Sequence, residues 1–157
     1  MTSDPADLAQ QVARNCREAD VTIAAAESLT AGRVLSELGR GEGASQWLRG
    51  GVVAYASEVK RQVLGVSEGP VVTARCAEEM AAGVARLLGA DVAIGTTGVG
   101  GPGPDEDQPP GTVYLGWWVR GQRGSERHQF DGEPADVVEK TVGTALELLL
   151  RKLDSLR

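Results

Sequence analysis

Val21-Thr22-Ile23-Ala24-Ala25-Ala26-Glu27-Ser28-Leu29-Thr30-Ala31-Gly32 is the stretch from which the rest of the chain can be read. Val21 to Ala26 is a run of small apolar residues, the pattern of a strand covered on both faces in a parallel sheet. The run breaks at Glu27-Ser28 and restarts as a helix near Thr30, whose hydroxyl suits a cap. Ala31 and Gly32 keep that first turn open to close approach. The break puts the Ser28 hydroxyl at the carboxyl end of a strand, beside unpaired N–H groups of a helix N-terminus. Open α/β sheets bind ligands there, and such N–H groups stabilise a developing oxyanion. Ser28 is therefore the candidate nucleophile, and the rest of the chain must supply what activates it.

Outward from this stretch, helices and strands alternate. Asp4-Pro5 caps and starts a helix whose apolar stripe is Leu8, Val12, Ala13 and Cys16, running to about Asn15–Arg17. A second helix runs to about Arg40 with Val34, Leu35 and Leu38 inward. Trp47 and Leu48 anchor a short turn before a strand over Gly51 to Tyr55. Ser57 suits a cap for a short helix, Glu58 to Leu64, ended by Gly65. Thr73 caps Ala74 to Leu88, with Ala77, Met80, Val84 and Leu87 on one face. Asp91 to Thr97 is a further buried strand, Thr112 to Val119 alternates as another, and Ser125 to Phe130 reads as an edge strand after a turn at Arg120 to Gly124. Pro134 opens the last helix, with Val138, Val142, Ala145, Leu148 and Leu149 inward. This order predicts one α/β domain over 1–157, a three-layer α/β/α sandwich on a mixed, mostly parallel five-stranded sheet, its last three strands the least parallel part.

Composition narrows the function classes. The 157 residues carry 41% hydrophobic but only 4% aromatic residues, so the core must be aliphatic. A net charge of −6 argues against nucleic acid as a partner, since duplex binding needs a concentrated basic face. No window is apolar enough to span a membrane, and the N-terminus has no basic start followed by an apolar run. Cys16 and Cys76 lack metal-ligand spacing and fit reduced packing positions in a cytoplasmic protein. With His128 the one histidine, on an edge strand, a His-based triad or a histidine metal site is not expected.

Without histidine, a serine can be activated by a neutral lysine. An ordinary lysine, with a pKa of about 10.4, does not serve at neutral pH. Burial lowers it, and a place in the first turn of a helix works the same way. Lys60 has that place, five residues after Tyr55, which can relay or orient the proton. The bland alternatives are a solvated helix lysine, a strand-end aromatic and a serine that caps a helix. Thr97-Gly98-Val99-Gly100-Gly101-Pro102-Gly103-Pro104 follows a strand, and its glycines can turn N–H groups toward a phosphate or carboxylate, with hydroxyls from Thr97 and Thr112. It is neither a Walker loop nor a Rossmann fingerprint. Asp105-Glu106-Asp107 reads as a solvated loop tip without calcium-loop spacing.

Four blocks in order resemble the CinA C-terminal domain family, also called the nicotinamide-nucleotide amidohydrolase or NMN deamidase family. They are Ala26 to Gly32; Gly50-Gly51-Val52-Val53-Ala54-Tyr55 with Lys60; Glu79-Met80-Ala81-Ala82-Gly83; and Thr97 to Gly103 with Gly111-Thr112-Val113. The resemblance covers about Leu8 to Leu149 and implies a metal-independent, cofactor-free hydrolase converting nicotinamide mononucleotide to nicotinate mononucleotide and ammonia, in pyridine-nucleotide salvage. It implies Ser28 as nucleophile, Lys60 as general base and Tyr55 as the lysine's partner. Glu27, Thr30, Ala31, Gly32, Thr97, Gly98, Gly100, Gly101 and Thr112 are the substrate-binding positions expected from it. It further implies a stand-alone form of a domain often fused to a molybdopterin-binding-like one, and a homo-oligomer, a dimer first.

The chain departs from the family pattern in three stretches. Leu29 and Ala31 stand in Glu-Ser-Cys-Thr-Gly-Gly, and Ala56 and Ser57 in Tyr-Ser-Asn-Glu-x-Lys. Gly132-Glu133-Pro134 and Val138 replace the usual Gly-Asp-Arg and a following arginine. Ala31 is expected to add a methyl where the substrate approaches, and the last helix to lack cations for the substrate's anion. Two alternatives stay open: a non-catalytic nucleotide-binding module on the same fold, or an amidase with another substrate.

Overall fold

A computed structural model describes residues 3–156. Eleven elements follow in order: α1 (Pro5–Ala19), β1 (Ile23–Glu27), α2 (Arg33–Leu38), α3 (Ala44–Trp47), β2 (Leu48–Val53), α4 (Ser57–Leu64), α5 (Ala74–Leu88), β3 (Val92–Gly98), β4 (Thr112–Val119), β5 (Gln122–Gln129) and α6 (Pro134–Asp154). The strands form one sheet in the order β2-β1-β3-β4-β5. β1 is parallel to both β2 and β3, whereas β3–β4 and β4–β5 are antiparallel. Only β4 therefore runs against the other four strands.

β1 shows why the sheet needs helices on both sides. Successive side chains of a strand point to opposite faces. Ile23 and Ala25 join a core with α1, α2 and α6, while Ala24 and Ala26 join one with α4 and α5. All five residues of β1 are buried. The small residues let helices come close: a side chain at Gly95 or Gly116 would run into the Ala77 carbonyl of α5. Trp47, Leu38 and the leucines of α6 supply bulk on the other face. Among the described residues no helix is long and apolar enough to cross a membrane.

The expected architecture holds, with local corrections. α5 and β4 occupy the expected residues, and Thr73 caps α5 by accepting from the Cys76 N–H. Leu87 is not on the buried face; it is 52% exposed. The segment at Trp47 is a four-residue helix, and β2 starts at Leu48 and ends at Val53 rather than spanning Gly51 to Tyr55. Ser57 is the first residue of α4, not its cap; Ala56 holds the cap position without a side-chain bond. The β4–β5 turn is only Arg120-Gly121, both at positive φ, so β5 begins at Gln122. That pair of left-handed residues matches the twist of a two-residue hairpin. In α6, Val137 is fully buried and Val138 only partly so.

Candidate active site

The carboxyl ends of β1, β2 and β3 lie side by side, and the chain leaving them encloses a cavity of about 490 Å³. Ser28 and Leu29 line it from β1, Tyr55, Ser57 and Lys60 from the β2–α4 connection, and Thr97 to Gly101 from the end of β3. Gly103, Pro104 and Asp105 continue the loop wall, Val71 and Val72 close the side before α5, and Pro134 and Val138 enter from α6. Ligands of open α/β sheets sit at this edge because the strands end there and the connections splay apart.

Ser28 is held by its backbone and not by its side chain. Its N–H donates to the Thr96 carbonyl at 3.0 Å and its carbonyl accepts from the Ala31 N–H at 3.0 Å. Thr96 is itself fixed through Oγ1, 2.9 Å from Thr30 Oγ1. Among the described residues no protein group bonds Ser28 Oγ, and neither the Leu29 nor the Thr30 N–H donates to a protein acceptor. The hydroxyl thus faces the cavity with two uncommitted amide donors next along the chain.

The reason for that sharp turn is Glu27, which is fully buried. Its two carboxylate oxygens accept from the Val34 and Leu35 N–H groups of α2, each at 2.9 Å. A buried carboxylate needs such donors, and helix N-termini supply them with a favourable dipole. Two expectations change. Glu27 does not line the cavity but caps α2 from within, and its carboxylate already takes the Val34 and Leu35 donors of the α2 N-terminus. The helix also starts later than expected: Gly32, at φ 96°, holds the cap position, and Thr30 bonds Thr96 instead of capping.

Lys60 is 1% exposed and reaches the cavity from the first turn of α4. Its Nζ donates to the Tyr55 carbonyl at 3.0 Å. Burial holds its pKa below the ordinary lysine value; Cys76 and Glu106 oppose that shift and Arg61 adds to it. Cys76, buried in α5, has its own thiol pushed up to about 11, chiefly by burial. Lys60 Nζ and Ser28 Oγ line one cavity without a direct hydrogen bond. Tyr55 corrects the expectation of a phenol that tunes the lysine: its side chain is 68% exposed, and its main-chain oxygen makes the contact.

Of the expected substrate-binding residues, Thr97, Gly98, Gly100 and Gly101 line the cavity. Gly100 has open space where a side chain would stand, so its backbone is accessible from the pocket. Thr30, Ala31, Gly32 and Thr112 do not line it. Thr112 Oγ1 is turned to the Pro109 carbonyl and Gln129, bracing the foot of the loop. Ala31 is exposed at φ 48°, so its methyl strains the turn rather than crowding a ligand. Val71 and Val72 were unreadable as site residues because nothing near them in sequence marks a pocket. Pro134 and Val138 were marked by their departure from the family pattern, and both form an apolar wall here.

Residues 5–153 match the CinA C-terminal domain family. A putative competence-damage inducible protein of Bacillus velezensis is 36% identical over 96% of this chain and 38% of its own length. A CinA-like protein of Frankia casuarinae is 42% identical over 86% of this chain and 32% of its own. The chain thus spans well under half the length of these curated relatives. A crystal structure of the competence damage-inducible protein A of Klebsiella pneumoniae superposes with TM-score 0.95 at 34% identity, covering 99% of this chain and 100% of that one. By sequence and fold, the chain belongs to the CinA C-terminal domain family.

Proposed function

We propose that this pocket hydrolyses the carboxamide of nicotinamide mononucleotide to nicotinate mononucleotide and ammonia, in cytoplasmic pyridine-nucleotide salvage, with Ser28 as nucleophile and Lys60 as base. The observation that carries the reading is a buried lysine of lowered pKa sharing a cavity with an uncommitted serine hydroxyl. A lysine earns no catalytic use as an ammonium; desolvation supplies the neutral amine that can take a proton.

The steps follow from these positions. Ser28 Oγ attacks the amide carbon while Lys60 Nζ takes its proton, directly or through one water. Catalytic hydrogen bonds often tighten only once substrate is bound, so the missing contact in the free protein is compatible with this role. The Leu29 and Thr30 N–H groups are the donors available to the tetrahedral oxyanion. Lys60 returns the proton to the departing nitrogen, which leaves as ammonia, and an acyl-serine remains. Water, deprotonated by Lys60, then attacks the ester, and Lys60 returns that proton to Ser28 Oγ as the carboxylate departs, restoring the free serine and the neutral amine. The exposed backbone of Gly98 to Gly103 is the surface offered to ribose and phosphate.

Incubation of the protein with the mononucleotide, with ammonia and nicotinate mononucleotide followed by mass, tests this directly. Wild type should form both, and Ser28→Ala and Lys60→Ala neither. A second reading, a nucleotide-binding module, is favoured by the Lys60–Tyr55 contact, which occupies the amine without any bond to Ser28. No turnover, with a rise in melting temperature on adding the mononucleotide, would select it. A homo-oligomer is the assembly proposed alongside, a dimer first, to be read by light scattering.

A further inference from the structure

Residues 99–111 leave β3 and return to β4 as a loop with a closed neck: the Val99 N–H donates to the Thr112 carbonyl at 2.8 Å and the Gly111 N–H to the Val99 carbonyl at 2.7 Å. Its tip is a tight reversal in which Asp105 and Gln108 exchange backbone bonds and Glu106 and Asp107 both take positive φ, 50° and 60°. Non-glycine residues adopt that conformation at a cost, so two in succession need compensation from the surroundings. The Glu106 side chain supplies it. Its carboxylate accepts from the Val71 N–H at 2.9 and 3.1 Å and from the Val72 N–H at 2.7 Å. Gln108 Nε2 donates to the Val72 carbonyl, and Thr97 Oγ1 to the Val71 carbonyl at 2.8 Å.

The segment so held is itself part of the cavity. Val71 and Val72 face Gly98 to Asp105 across it. Glu106 does not line the pocket, yet it joins two of its walls. Charge-assisted bonds from a carboxylate to two consecutive N–H groups are stronger than neutral ones and fix orientation as well as distance.

We propose that Glu106 is a positioning residue of this site, clamping the glycine-rich loop to the Val71–Val72 segment so that the loop wall stands at a fixed distance from Lys60 and Ser28. The role rests on the catalytic reading only for its effect on turnover; the clamp itself can be measured without substrate. The groups that set the charge around Lys60 are Cys76 from α5, Glu106 from the loop and Arg61 on α4, with Asp105 and Tyr55 lining the same cavity. Glu106 is the one of these on the loop that holds the lysine's pKa up, so its removal should let that pKa fall further.

The test is Glu106→Gln in the full chain, with amide exchange at Val71 and Val72 and the Lys60 side-chain titration both followed by NMR. Losing charge-assisted bonds should speed exchange at those two amides by about tenfold or more, with little change in melting temperature because Glu106 is exposed. The Lys60 titration should move to lower pH. Glu106→Asp, which keeps the charge but withdraws it, should also speed exchange while leaving the titration nearer that of wild type. Unchanged exchange, or faster exchange with an unmoved Lys60, overturns the proposal. If the protein turns over the mononucleotide, Glu106→Gln should raise KM severalfold and shift the acid limb of kcat/KM in the direction of Lys60. An inactive wild type would defeat the deamidase reading and leave the two NMR outcomes to decide the clamp.

Discussion

Two segments wall the cavity at the carboxyl edge of the sheet, and they are held in opposite ways. The turn from Glu27 to Gly32 is anchored in the interior, where the Glu27 carboxylate accepts from the Val34 and Leu35 N–H groups at the start of α2 and Thr30 bonds Thr96. The loop from Val99 to Gly111 is anchored at the surface, by Glu106 and Gln108 reaching back to Val71 and Val72. In both, a glutamate accepts from two consecutive backbone N–H groups. The buried one is tied to the fold, because an unpaired carboxylate there has no water to turn to. The exposed one keeps access to water, so its loss is expected to leave the domain folded.

The strongest way to break this contrast is Glu27→Gln. The amide keeps the volume but brings its own N–H₂ against one of the two donors, so stability should fall by about 2–4 kcal/mol in urea denaturation. A loss under about 0.5 kcal/mol would place Glu27 in the same class as a surface residue.

Lys60→Met probes the lysine between the two segments through pH. Because the folded protein binds the Lys60 proton less tightly than the unfolded chain, the ammonium penalises folding below the ordinary pKa of 10.5, and the penalty is complete below the folded pKa. Stability of wild type relative to Lys60→Met should therefore rise as pH increases toward 10.5 and level off above it. A difference that stays flat across that range would show Lys60 to be solvated when folded.

Ala31→Gly sharpens the comparison from the other side. It should stabilise by about 1 kcal/mol, relieving a left-handed alanine, and leave turnover unchanged because Ala31 is outside the cavity. Tyr55→Phe should do least. With the lysine held by the main-chain oxygen, kcat should stay within about twofold of wild type, the range of an uninvolved surface change. A large drop would return the phenol to the mechanism.

The elements that were legible in the sequence are those whose cause is local. α5 shows its bounds through Thr73, a helical apolar stripe and Gly89, and β4 through alternation from Thr112 to Val119. The candidate pair Ser28 and Lys60 was legible too, since each follows a strand end, and strand ends of one parallel sheet share an edge. Cap assignments fared worse. Thr30 and Ser57 have the right residue types, but Thr96 takes one hydroxyl and the helix simply begins at the other.

Sequence by itself thus determined the alternation of elements, the two-sided burial of β1 and the strand-end positions of Ser28 and Lys60, because helical and strand periodicity and strand-end position are properties of neighbouring residues. Only the tertiary structure decided that Glu27 caps α2, that Lys60 meets the Tyr55 carbonyl and not its phenol, that Val138 faces the pocket and Val137 the core, and that Glu106 grips a segment 34 and 35 residues earlier in the chain. A carboxylate accepts from whichever unpaired N–H groups packing brings within reach, and that meeting is written in no local pattern.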